Sequence, residues 1–299
     1  MSDRIFRQIR TAFRQLNPGE IRRVADRPLH IGLVAASSES VAAMEDFLVP
    51  PSISRAKREE IFGFLHRAGD LGSPGTYDLT IVEENLLAPP GAFYFYAADP
   101  EKMVREILDN RPELRVALAR YFPVFRKSVI SRTIQEVAKE NALFAVLTAL
   151  PDAIPALFAA GWAAGEFASE TTVLTVNQVR MAFVIAAASD REVGYFEQRS
   201  QIASIIAAAF GWRALARELV GKIPFGAGLI PKAAVAYAGT YVVGETLQRF
   251  YEIGYGYTRA ERQLAYERAF QKGKTVAKSL MEAVHKQEEG KGVLQSANQ

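Results

Sequence analysis

"LHIGLVAASSESVAAMEDFLV" (Leu29–Val49) reads as a strand, a serine-rich turn and a helix in direct succession. Leu29–Ala36 is the strand, and Ser37–Val49 is a helix whose leading serine can accept an otherwise unpaired N–H of the first turn. The alternation continues downstream. "YDLTIVEE" (Tyr77–Glu84) and "AFYFYAAD" (Ala92–Asp99) are strands by their β-branched and aromatic content. "PEKMVREILDN" (Pro100–Asn110) is a helix with proline in its first turn. "LRVALARYF" (Leu114–Phe122) is open to either reading, strand or helix. Strands alternating with helices predict a small, mostly parallel α/β domain over residues 28–126.

A strand, a turn and a helix is also the layout of a phosphate-binding loop. Such a loop needs G-x-x-x-x-G-K-[ST], because glycines let backbone N–H groups surround phosphate while lysine and hydroxyl hold the terminal phosphates and magnesium. Ser40, Val41 and Ala42 stand where Gly, Lys and Ser/Thr are needed, and the first lysine of the chain is Lys57. The layout nevertheless resembles the scaffold of small Era-like GTPases. "YDLTIVEENL" sits where those proteins run an apolar strand into D-x-x-G, with Glu83-Glu84-Asn85-Leu86 in its place. "RVALARYFPVF" falls where N-K-x-D would read guanine. The resemblance implies a degenerate GTPase- or Rossmann-like domain without nucleotide motifs, and no cofactor is expected. Glu83, Glu84 and Asp99 end strands, where α/β active sites lie. A divergent NTPase or hydrolase using them is therefore the enzymatic alternative to plain solvated acids. Ser37, Ser38 and Ser40 lack the G-x-S-x-G elbow and read as helix caps.

Composition removes other classes. None of the 299 residues is cysteine, which excludes disulfides, thiolate catalysis and zinc-thiolate sites. His30, His66 and His285 lie far apart and form no H-E-x-x-H pattern, so no metal site is expected. A net charge of +3 is too slight to argue for nucleic acid. The N-terminus has no apolar run with a small-residue cleavage site, which places the bulk of the chain in the cytoplasm. "DRIFRQIRTAFRQL" (Asp3–Leu16) is a helix within residues 1–27, ended by Asn17-Pro18-Gly19. Phe6, Ile9, Phe13 and Leu16 form its apolar stripe, and Arg4, Arg7, Arg10 and Arg14 share the other faces. A basic amphipathic helix of this kind can lie on an anionic lipid surface, or dock on its own domain with the arginines in water.

Residues 127–285 turn to apolar, alanine-rich helix. Ser131–Leu150, Thr175–Ser189, Gln198–Phe210, Trp212–Lys222 and Pro231–Glu252 are helices, the last with Pro231 at its first position. Thr258–Val284 is densely charged at helical spacing and reads as a solvated outer helix, with a disordered tail over 286–299. Between Ala142 and Gly165 the only charge is Asp152. That length meets the roughly 20 residues of a membrane span. Pro151 and Pro155 break it near the middle, and a carboxylate at bilayer centre costs on the order of 2.5–3.5 kcal/mol. A helical hairpin fits better, buried in the domain or dipping into one leaflet, with Trp162 suited to a core or to an interface.

The ordered blocks "NALFAVLTALPDAIPAL", "LTVNQVRMAFVIAAAS" and "GWRALARELVGKIPFGAGLIPKAAVAYAGTYVVGETLQRFYEIG" resemble domain-of-unknown-function family 697 over about residues 130–254. That bacterial helical domain also occurs fused to Era-like GTPases and in membrane-associated proteins. Its signature here centres on the turn carrying Gly211, Trp212, Arg213, Arg217, Pro224, Gly226, Gly228, Pro231 and Lys232. Gly226 and Gly228 follow a helix rather than a strand, so the turn reads as a helix–helix corner and not a phosphate cradle. The resemblance implies a helical domain, often membrane-associated. Together these readings predict an α+β chain, a degenerate α/β domain followed by an apolar helical bundle, acting as a non-enzymatic scaffold or partner-binding module. The expected partner is an anionic membrane surface, by peripheral or hairpin association at the inner membrane, with no nucleic acid. A protein partner or a homo-oligomer, as in a soluble subunit of a larger assembly, stays open.

Overall fold

The computed structural model describes residues 16–67, 76–148, 170–208 and 229–296. The chain divides into two units. One gathers Pro18–Ser131 and Ala186–Val193, the other Met1–Asn17, Arg132–Ile185 and Gly194–Gln299.

The first unit is the α/β domain. Helix α1 (Pro18–Ala25) opens on the proline that was expected to end the preceding helix. Proline suits a first helical position, because the N–H it lacks would have no partner there. Next come β1 (Ile31–Val34), α2 (Ser38–Leu48), α3 (Arg55–Phe62), β2 (Leu65–Arg67), β3 (Leu79–Glu83) and β4 (Phe93–Phe95). Helix α4 (Pro100–Asn110), a 3-10 turn (Pro112–Leu114) and α5 (Arg115–Tyr121) complete the unit's own elements. The strands form one sheet in the order β2-β1-β3-β4, every pair parallel. Parallel sheets need both faces covered, and Ile31, Leu33, Leu79, Ile81 and Val82 are accordingly buried. Gly32 lies under the Tyr77 ring, where an added Cβ would sit 2.9 Å from Tyr77 Cδ2. Of residues 114–122, open between strand and helix in the sequence, Arg115–Tyr121 are α-helical and Phe122 is the extended residue that ends the helix. Ala117, Leu118, Ala119 and Tyr121 bury nearly a full turn, and the Arg115 guanidinium donates back to the Leu108 carbonyl at 2.8 Å.

The second unit is a helical bundle. It takes α6 (Pro123–Leu147) from Arg132 onward, α7 (Glu170–Ala188) up to Ile185, a helical stretch at 199–208, α8 (Leu229–Ile253) and α9 (Arg259–Ser296). Helices α8 and α9 form an antiparallel hairpin. Gly254, at φ +85°, ends α8 in the left-handed region and its N–H donates to the Phe250 carbonyl at 2.9 Å. Thr258 and Glu261 start α9 with a reciprocal capping box, Thr258 N to Glu261 Oε2 at 2.9 Å and Glu261 N to Thr258 Oγ1 at 3.3 Å.

Helix α9 agrees with expectation on one face and departs from it on the other. Its charged face is exposed, as a solvated outer helix requires, but Ala265, Tyr266, Ala269, Phe270 and Ala277 are buried against α8. Those residues recur at spacings of three and four, which puts a core stripe beneath the dense charge. The backbone also stays helical to Ser296, through most of the expected tail at 286–299. Lysine, glutamine, glutamate and leucine are good helix formers, and no proline interrupts them. On the facing side, Pro231 lies in the first turn of α8, two residues after its start. The uncharged run Ala233–Gly244 is almost wholly buried inside the bundle.

Close approach depends on glycine at two places. A Cβ on Gly273 would meet the Ala234 carbonyl oxygen at 2.9 Å, and one on Gly244 would meet Ile134 Cγ1 at 2.6 Å. The first neighbour is backbone and cannot rotate away. Gly273→Val should therefore destabilise the chain by about 1–3 kcal/mol in urea unfolding, and an unchanged midpoint would show that the hairpin is looser than described.

Candidate functional site

In an open parallel sheet, ligands bind beyond the carboxyl ends of the strands where the strand order reverses. Here that point lies between β1 and β3, since β2 is added on one side of β1 and β3 on the other. Ser37 caps α2, its hydroxyl oxygen accepting from Ser40 N at 3.1 Å. The same hydroxyl lies 3.1 Å from Ser40 Oγ, which in turn donates to Glu83 Oε1 at 2.8 Å. The other oxygen, Glu83 Oε2, accepts from Ala36 N at 2.8 Å. A carboxylate from the end of β3 thus occupies the N-terminal mouth of α2, where backbone donors and the helix dipole favour an anion. The Ala36 amide, then the Ser40 hydroxyl, hold the Glu83 carboxyl below the usual glutamate range.

The other strand-end acids do not join it. Asp99 pairs with Arg105 at 3.0 Å, and Glu84 is exposed in the turn after β3. At the opposite end of the sheet the fold brings together two histidines that the sequence keeps apart. His30 Nδ1 and His66 Nε2 are 3.1 Å from each other, with ring centroids 5.3 Å apart. Desolvation, then the neighbouring His30, lowers the pKa of His66. No group of three or more His, Cys, Asp or Glu side chains with metal-binding geometry occurs among the described residues.

The second distinctive surface is the corner of the α8–α9 hairpin. Phe250, Ile253, Tyr255 and Leu264 are 37%, 49%, 60% and 59% exposed, which is unusual for large apolar side chains so close in sequence. Arg249 braces the turn from within. It pairs with Glu261 at 3.0 Å and lies over Tyr255 and Tyr257 at 5.3 and 5.2 Å from the ring centroids. Arg259 and Arg262 are exposed beside it. One helical turn further in, burial pushes the Glu245 carboxyl up. Arg268, the Tyr257 hydroxyl, Lys272 and the Tyr241 hydroxyl pull against that rise.

Sequence reasoning named Glu83 and the Ser37 and Ser40 caps separately without joining them, and it missed the corner. The signal for the first was the serine cap with a strand-end glutamate one strand away. For the second it was "FYEIGYGYTR" (Phe250–Arg259), a turn unusually rich in aromatics. Among the residues singled out in the sequence, Arg4, Phe6, Arg7, Arg10, Phe13, Arg14 and Trp162 lie outside the described residues. So do Gly211, Trp212, Arg213, Arg217, Pro224, Gly226 and Gly228. Of the signature turn, Pro231 is buried at the start of α8, and Lys232 Nζ lies 3.4 Å from Thr148 Oγ1. The candidate hairpin Ala142–Gly165 is described only to Thr148, and Ala142–Leu147 is the end of α6.

Compared with protein-family models, with curated proteins and with solved structures, the chain returned no match.

Two titrations test the electrostatics. Glu83 has a depressed folded pKa, so its stabilisation is full above the ordinary glutamate value and is lost as pH falls through the folded one. Ser40→Ala should raise the Glu83 pKa, read by carboxyl NMR, and reduce that acid-side loss; an unmoved titration would show that the Ser40 hydroxyl contributes nothing. Glu245 has the opposite sign. Its raised folded pKa means that stability falls as pH rises from the ordinary glutamate value through the folded one. Glu245→Gln should flatten that segment of a pH series of thermal melts while leaving the lower acid limb in place.

Proposed function

We propose that this chain is a non-enzymatic membrane-surface module, a bundle that meets anionic lipid or a lipid-bound partner while its α/β domain binds no nucleotide. The observation that carries the reading is the α8–α9 corner. It presents exposed Phe250, Ile253, Tyr255 and Leu264 beside Arg259 and Arg262. Aromatic and aliphatic side chains flanked by arginines suit the boundary between acyl chains and anionic headgroups, where the rings enter the interface and the guanidinium groups stay at phosphate level. The basic stripe of Arg4, Arg7, Arg10 and Arg14 would add a second attachment of the same chemistry, and two weak attachments give stable anchoring where one does not. The family resemblance over 130–254 points the same way.

Spanning is the less favoured membrane geometry. One described helix, Thr171–Ala188, is long and apolar enough to cross a bilayer, and 67% of that window is buried against its own neighbours. Core helices of that kind pass the same test of length and composition. Against nucleotide binding stands the Glu83 carboxylate. It holds the donors a phosphate would need, and like charge at that distance repels a phosphate.

Co-sedimentation of the intact chain with vesicles of anionic lipid at low salt tests the reading. Binding should weaken with added salt, and it should fall about tenfold when Phe250, Ile253 and Tyr255 are changed together to serine. Full recovery of the unmodified chain in the supernatant would sink the proposal. So would a saturable ATP- or GTP-induced thermal shift abolished by changing Ser40, which would restore the enzymatic alternative.

A further inference from the structure

We infer that His30 and His66 form a two-histidine site for a borderline divalent cation of the Zn2+, Ni2+ or Cu2+ class, fastening β1 to the edge strand β2. The inference is independent of the membrane reading and rests on the pairing of the strands. Parallel register sets Ile31 against Leu65 and Gly32 against His66, which places His30, one residue before β1, beside the β2 histidine. The facing nitrogens, His30 Nδ1 and His66 Nε2, are 3.1 Å apart. Two metal–imidazole bonds of about 2.05 Å that span this distance subtend about 98° at the metal. That angle lies between the octahedral and tetrahedral values, so two imidazole ligands at this separation suit either geometry.

The surroundings favour a cation over a simple bond between rings. His30 is exposed and His66 half-buried, which leaves the outer face of the pair open for water to complete the coordination. Beyond their mutual contact, neither ring has a hydrogen-bond partner among the described residues. The backbone on which His30 stands is fixed, because Asp78 Oδ2 accepts from His30 N at 2.9 Å while Asp78 Oδ1 is paired with Arg27. The Tyr77 ring lies 6.0 Å from the His66 ring and limits how far it can swing. Imidazole pairs select Zn2+, Ni2+ and Cu2+, whereas Mg2+ and Ca2+ require oxygen ligands. A site of two protein ligands with water is weak and exchangeable, suited to reversible occupancy and not to a permanent structural ion. Its effect would fall on β2, three residues long and paired on one side only.

Composition makes the test clean, because the chain has no cysteine and only one other histidine, His285. Isothermal titration of the full chain with Zn2+ at neutral pH should give one site of micromolar affinity, and Mg2+ and Ca2+ should give none. His30→Ala and His66→Gln should each weaken Zn2+ by about tenfold or more, while His285→Ala leaves it unchanged. Copper(II) loaded at one equivalent should show electron paramagnetic resonance couplings from two imidazole nitrogens, lost in either variant. Absence of Zn2+ binding, or binding that survives in both variants or vanishes in His285→Ala, overturns the inference. Should His66→Gln fail to fold by circular dichroism, the exposed His30→Ala decides the question alone.

Discussion

Asn141 is fully buried in the bundle, and an amide taken out of water must find its hydrogen bonds inside or cost the fold about 1–3 kcal/mol for each polar group left unpaired. Its Nδ2 donates to Thr240 Oγ1 at 2.8 Å and approaches the Leu174 carbonyl at 3.3 Å, while its Oδ1 accepts from Asn177 Nδ2 at 2.8 Å. Gln178 Nε2 reaches the same Thr240 hydroxyl at 3.1 Å. One residue of α6 is thereby tied to two of α7 and one of α8. The apolar contacts around it are largely alanine, and alanine surfaces slide past one another with little loss. The amide bonds form only when these residues face one another, so they add register specificity to the close contacts at Gly244 and Gly273. Once α8 is set, Tyr237 packs on Tyr241, α9 is seated through Gly273, and the turn at Gly254 falls where the exposed corner forms.

The α/β domain obeys a different constraint. Its sheet has only four short strands, so coverage and edges decide more than length. Charge pairs spread along its rim, Arg67 with Glu45 and Arg120 with Asp26 among them. The segment Ala186–Val193 is held to it by specific groups. The Arg126 side chain donates to the Ala188 carbonyl at 2.9 Å, and Lys57 pairs with Asp190 at 2.9 Å. Asp190 sits at φ 57°, a backbone state that aspartate tolerates better than most side chains.

Much of this architecture was legible because local signals agreed with the tertiary result. The β-branched and aromatic runs at 31–34, 79–83 and 93–95 are strands, and the Ser37 cap and Pro100 start mark real helix ends. Helix α3 and strand β2 escaped because Arg55–Phe62 buries only Ile61 and β2 is three residues long, too little pattern for periodicity to register. The packed stripe of α9 was hidden because glutamate, lysine and arginine outnumber the few small and aromatic residues that pack. The candidate sites were harder still. That Glu83 reaches Ala36 and Ser40, or that His30 meets His66, depends on which strands are neighbours, and strand order is not a local property of the sequence.

The Glu83 network has one more consequence. A side chain tethered to β3 occupies the mouth of α2 as an intramolecular ligand, and it loses no translational entropy on binding there. The contact is therefore independent of protein concentration, and protonation of the Glu83 carboxylate weakens it. A change at position 83 would free the Ala36 N–H and the Ser40 hydroxyl for another acceptor while leaving the strand order untouched.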